Sequence, residues 1–150
     1  MKGVLLFFHV LGFAAWLGGG LSAMLAGITA KSFAPAERLA VYRAVGAIGR
    51  NLIGTGAILV VVTGILLAVP YMQGGGNAAW LSGMMGFGIL AALVGAFIVA
   101  PTAARLARLQ VDARGELPEA FAALRKRQVI FGTVSGVLAL LALLSVTVLR

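Results

Sequence analysis

The sequence predicts an all-α fold, an integral membrane bundle of four helices. Four long apolar runs fill most of the 150 residues, and ten of the twelve basic residues sit in two of the three connections between them. A hydrophobic fraction of 61% with only 11% charged residues lies far from a water-soluble domain, in which about a quarter of residues are charged. A bilayer interior offers no water to backbone amides and carbonyls, so each run satisfies its own as a helix.

The first run, Val4–Ala30, follows Lys2 and resembles a secretory leader in outline, but it exceeds the roughly 7–15 residues of a leader core and reads as a retained helix. The others are Arg50–Val69, Ala79–Ala100 and Val129–Leu149. Each meets the need for about 20 apolar residues to cross roughly 30 Å of hydrocarbon. The length suits one domain, residues 1–150. The second helix is expected to extend back through Leu39, Tyr42, Val45 and Ile48 to Pro35, with Ser32 as cap and Glu37 in its first turn. The fourth extends back through Phe121, Leu124 and Gln128 to Pro118, after a break at Gly115. Pro70 to Ala78 forms an uncharged connection with a flexible turn at Gly74-Gly75-Gly76.

Orientation follows from charge. The first connection carries Lys31, Arg38, Arg43 and Arg50, and the third carries Arg105, Arg108, Arg114, Arg125, Lys126 and Arg127. The positive-inside rule sets both in the cytoplasm and both termini outside, against Lys2 and Arg150. The expected location is a bacterial inner membrane. Arg43, Arg50, Arg125, Lys126 and Arg127 are expected at lipid headgroups. A pI near 11.5 is accounted for by this signal and does not call for nucleic acid. Cysteine is absent, which excludes disulfides and thiolate metal sites.

Lipid gives helices no hydrophobic reason to associate, so small residues that allow close approach take over that role. Ala15, Gly19, Ala23 and Gly27 recur every four residues on the first helix. Gly56, Gly64 and Ala68 lie on one side of the second, Gly88, Ala92 and Gly95 at neighbouring positions on the third, and the fourth has Gly132 and Gly136. The same stripes suit self-association or a place in a larger membrane complex. A tandem hairpin repeat is a further expectation, with Trp16-Leu-Gly-Gly-Gly-Leu and Trp80-Leu-Ser-Gly-Met-Met opening the two halves.

His9 is the single histidine and lies within an apolar run. Ionisable groups inside membrane helices mark functional sites by default, and a neutral imidazole is the commonest metal ligand. Trp16, seven residues on, shares its face, and Gly12 is expected to leave open space between them. The other reading is an interfacial histidine bonded to a carbonyl or headgroup. Met84 and Met85 lie at similar depth, and Met72 sits in the uncharged connection. A thioether with an imidazole suits Cu(I) or the axial positions of a haem, with Met84 the candidate second metal ligand; methionine also simply fills gaps. No carboxylate lies in any apolar run, which argues against a proton-coupled transporter. No nucleophile–base set, phosphate-binding glycine loop or zinc spacing is present.

The stretch Phe8-His9-Val10-Leu11-Gly12-Phe13-Ala14-Ala15-Trp16-Leu17-Gly18-Gly19 resembles the first helix of a superfamily of small bacterial membrane proteins. It includes the copper-resistance-D type proteins, the four-helix protoporphyrinogen oxidase and a short branch of about this length. Thr63-Gly64 is similar to the threonine–glycine pair ending that family's second helix. The resemblance implies haem b or copper at His9. In the oxidase branch a lysine shortly before the histidine is also required, whereas here Val4 to Phe8 holds none and the nearest is Lys2. Three functions follow as expectations: a non-enzymatic haem- or copper-binding membrane protein using His9, Trp16, Met84 and Met85; a cofactor-free accessory subunit of a larger complex; and a porphyrin-oxidising enzyme.

Overall fold

A computed structural model of the chain describes residues 2–74 and 79–148. Among these the secondary structure is helical throughout, in four long apolar helices: α1 (Lys2–Ser32), α2 (Pro35–Gln73), α3 (Ala79–Ala107) and α4 (Ala120–Val148). Each is long and apolar enough to cross a membrane. The expected 75–76 glycine turn and the Leu149 end of α4 lie outside the described residues.

Every boundary has a local cause. The end of α1 tightens into a 3₁₀ turn, Ala30–Ser32, and Ser32 turns its hydroxyl back to the Thr29 carbonyl at 2.9 Å. Ser32 therefore does not cap α2. Ala34 takes that position, Pro35 supplies its fixed φ at N1, and the Glu37 carboxylate accepts the Ala34 N–H at 3.3 Å. Pro70, expected to open the connection, instead sits inside the last turns of α2, which continues to Gln73. α3 runs about two turns further than its apolar stretch, to Ala107. α4 starts at Ala120, two residues after Pro118. The loop 108–119 is held by Asp112, whose carboxylate accepts the amides of Arg114 at 2.9 Å and Glu116 at 2.8 Å. Gly115 adopts φ +77° there, a left-handed turn that strains any side chain.

Two helices carry a π-helical turn. In α3 it spans Gly95–Val99, one residue short of Pro101. Proline has no N–H to give the ladder and its ring crowds the carbonyl four residues back, so a local change of hydrogen-bond step accommodates it. Thr102 adds its hydroxyl to the Ile98 carbonyl at 2.6 Å. In α2 the π turn spans Gly49–Gly54, with the Thr55 hydroxyl on the Asn51 carbonyl at 2.6 Å. The turn thus falls in the second helix of the first hairpin and in the first helix of the second.

The bundle buries two small cores. At mid-length Trp16, only 7% exposed, meets Ala91 of α3 and Ala139 of α4, with Ile53, Ala57 and Val60 of α2 against them. At the end holding the basic connections, Leu39 and Tyr42 of α2, Leu106 of α3 and Phe121 of α4 form a second cluster. The helix extensions therefore pack on one another instead of lying apart. Elsewhere large apolar side chains face outward along all four helices, among them Phe7, Leu25, Ile58, Phe97 and Val129. That surface suits hydrocarbon.

Candidate functional site: a histidine clasp between α1 and α2

The seam between α1 and α2 is built from glycine. A Cβ placed on Gly12 would stand 2.9 Å from the Gly56 carbonyl, and one on Gly56 would stand 2.7 Å from the Gly12 carbonyl and 2.8 Å from the Trp16 amide nitrogen. A Cβ on Gly19 would stand 2.8 Å from the Ile53 side chain. The two backbones are in direct contact, as small-residue crossings permit in a membrane. The space expected between His9 and Trp16 at Gly12 is consequently filled by the α2 backbone. The close stripe on α1 is Gly12, Trp16 and Gly19, all buried; Ala15, Ala23 and Gly27 lie half-buried beside it.

One turn beyond Gly12, half-buried His9 reaches across the same seam. Its Nδ1 lies 3.1 Å from the Thr63 hydroxyl. A Cβ on Gly64 would stand 3.0 Å from the His9 Cε1, so the imidazole edge rests on bare backbone. Thr63 is buried, and its hydroxyl also bonds the Leu59 carbonyl of its own helix. That second bond bears on the tautomer. A hydroxyl has one proton, and a carbonyl accepts only. Thr63 therefore donates to Leu59 and is set to accept from the ring, an arrangement that favours the proton on Nδ1, and the Val60 carbonyl is a further acceptor within reach of the imidazole. A ligating histidine is commonly fixed in this way, with one nitrogen donating to a neighbour and the other bare. Thr63 and Gly64 are the partners that reading His9 alone did not supply. The signal was present: they are the polar and the smallest residue at matching depth on the adjacent helix.

The remaining candidates are spread out. Trp16 is enclosed in the central core, two turns from the ring. Met84 and Met85 are half-buried near the start of α3, and no described contact joins either to His9. Met72 is exposed at the end of α2. Among the described residues no group of three or more His, Cys, Asp or Glu side chains converges. The donor set is one imidazole nitrogen. One nitrogen is fewer donors than a copper ion takes in its shell, and a porphyrin iron needs only one or two from the protein.

The second hairpin closes differently. The Ser135 hydroxyl of α4 donates to the Ala91 carbonyl of α3 at 3.0 Å, and a Cβ on Gly83 would stand 2.8 Å from the Ser145 hydroxyl. Ser135, Ala139, Ala142 and Ser145 are the buried face of α4. A Cβ on Gly132, Gly136 or Gly88 would meet nothing within 4 Å, so the α4 glycines do not make the close contact expected of them within this chain. The serine register, one residue away from Gly136, turns them outward. Of the basic residues, Arg43, Arg50, Lys126 and Arg127 are exposed, while Arg125 is half-buried and donates its Nε–H to the Tyr42 hydroxyl at 2.9 Å.

Comparison with family models, with curated proteins and with solved structures gave no match to this chain.

Proposed function

We propose that this is a small multi-pass protein of a bacterial inner membrane, with both termini outside, that binds haem b through the Nε2 of His9. The supporting observation is the clasp: Thr63 donates its hydroxyl proton to its own helix and is set to accept a hydrogen bond from the Nδ1–H of His9, the arrangement in which Nε2 is the nitrogen that can ligate. A bound haem would supply an iron centre for electron transfer or small-molecule binding. The chain's own part is to hold the imidazole in one tautomer against the bare backbone of Gly64. Copper is the alternative metal and requires a thioether, with Met84 the candidate. The positive-inside rule puts the basic end, with Arg43, Arg50, Arg125, Lys126 and Arg127, in the cytoplasm.

Two measurements test this reading. Absorption spectra of the detergent-purified protein, oxidised and reduced, are expected to show a Soret band that is lost in His9→Ala; copper at one equivalent per chain without that band favours copper, and neither one ends the proposal. The chain has no cysteine, so single-cysteine labelling is unambiguous. Ser32→Cys is expected to be shielded from an impermeant reagent in intact cells and Gln73→Cys to be labelled; the reverse pattern inverts the topology.

A second reading has its own observation. Gly86, Gly88, Gly132 and Gly136 present small, open surface on α3 and α4. Such a surface suits another helix, from a second copy or a larger complex, with His9 then serving only to pin α1 to α2. A colourless protein that co-purifies with a membrane partner, with assembly unaffected by His9→Ala, favours that role. Loss of porphyrin oxidation in His9→Ala, in a protein shown to catalyse it, would support the enzyme reading.

A further inference from the structure

The basic end of the α2–α4 seam holds a groove of about 570 Å³ that the haem reading does not use, within the roughly 300–1,000 Å³ range of ligand sites. Its walls carry three cations, Arg38, Arg125 and Lys126, and its lining includes no carboxylate. The rest is apolar: Phe121 and Ala122 at one end, and Val129 and Ile130 continuing along the outward face of α4. Both of those outward residues are exposed.

The cations are positioned, not merely present. The Arg38 guanidinium lies 5.1 Å from the centroid of the Phe121 ring, a cation–π distance. Phe121 in turn meets Tyr42 edge-on at 5.3 Å between centroids. The Tyr42 hydroxyl accepts the Nε–H of Arg125, which fixes the guanidinium at the wall of the groove. The Nε of Arg38 is shielded from solvent and has no hydrogen-bond partner among the described residues. A buried guanidinium donor with no acceptor is costly unless something accepts from it. Two guanidiniums and an ammonium fit a phosphate, and arginine is the side chain suited to its geometry.

We infer that this groove is a binding site for one anionic phospholipid, its phosphodiester headgroup held by Arg38, Arg125 and Lys126 and an acyl chain lying along Val129 and Ile130. Charge complementarity selects an anionic headgroup, and the continuity of the groove with the apolar face of α4 selects a lipid over a soluble phosphate. The inference rests on the transmembrane reading and is independent of His9.

Native mass spectrometry of the purified full chain in detergent tests it, with phosphatidylglycerol and phosphatidylcholine of identical acyl chains as probes and glycerol phosphate as the headgroup alone. One phosphatidylglycerol is expected to be retained in preference to phosphatidylcholine. Each cation removed near a headgroup is expected to weaken retention roughly fivefold, so Arg38→Gln with Arg125→Gln loses about thirtyfold. Arg108→Gln with Arg114→Gln, the same loss of charge outside the groove, is expected to leave retention unchanged. Lys126→Gln removes an exposed side chain that makes no hydrogen bond or ion pair among the described residues, so its fivefold loss carries the test if the double arginine variant fails to fold. Equal retention of the two lipids, equal losses in the control pair, or glycerol phosphate binding as tightly as the lipid would each overturn the site. A chain washed from membranes by alkaline carbonate would remove the transmembrane reading and this site with it; a chain that stays in the membrane without lipid preference removes the site alone.

Discussion

Gly56→Ala places one methyl group at the point where α1 and α2 touch. The new Cβ would lie 2.7 Å from the Gly12 carbonyl oxygen, and ordinary contact begins at 3.4 Å, so the backbones must part by about 0.7 Å. Backbone cannot swing aside as a side chain can. Overpacking of this kind costs about 1–3 kcal/mol. A parting of about 0.7 Å also takes the 3.1 Å His9–Thr63 contact beyond hydrogen-bond range, worth about 0.6 kcal/mol more between membrane helices. Alanine's helix preference over glycine, about 1 kcal/mol in water, opposes these terms. The net expectation is a loss of about 1–2 kcal/mol. Gly132→Ala is the matched control, since its Cβ meets nothing and only the helix preference remains. Unfolding in mixed micelles, titrated with SDS and followed by the fluorescence of buried Trp16, measures both. Equal stability of the two variants would refute the backbone-contact account of the seam.

Three further outcomes follow from the same geometry. Thr63→Val removes the acceptor that fixes the His9 tautomer; nitrogen NMR of ring-labelled histidine is expected to show the proton on Nδ1 in the native chain and a reduced Nδ1 share in the variant, and unchanged populations would contradict the assignment. Ser135→Ala deletes the bond to the Ala91 carbonyl and is expected to cost about 0.6 kcal/mol in the same micelle titration, clearly less than Gly56→Ala. Gly115→Ala forces a side chain into φ +77°, at about 1–2 kcal/mol, and is expected to speed proteolysis within 108–119 while sparing the rest.

Much of the helical layout was legible because a single physical requirement, twenty-odd apolar residues per span, dominates it. Hydropathy ended α3 at Ala100 because Arg105 and Arg108 follow. It could not weigh Leu106, which is 1% exposed and belongs to the core at the basic end. Pro70 reads as a break, yet a proline near a helix end leaves few ladder bonds to lose, and α2 continues past it. The site was half legible. A histidine in an apolar run announces itself, whereas its partner depends on how two helices are rotated, and spacing within one helix does not reveal that. The same rotation decided that serine and alanine, not Gly132 and Gly136, face inward on α4.

The cluster of Leu39, Tyr42, Leu106 and Phe121 also constrains the order of biosynthesis. Its members are separated by long stretches of chain, and Phe121 is synthesised last. Until the fourth helix emerges, Leu39 and Leu106 lack the Phe121 ring that covers them, an apolar flank of the kind that proteases disposing of orphaned polypeptides recognise. Truncations before residue 120 leave that cluster open and should be short-lived even with the first three helices intact.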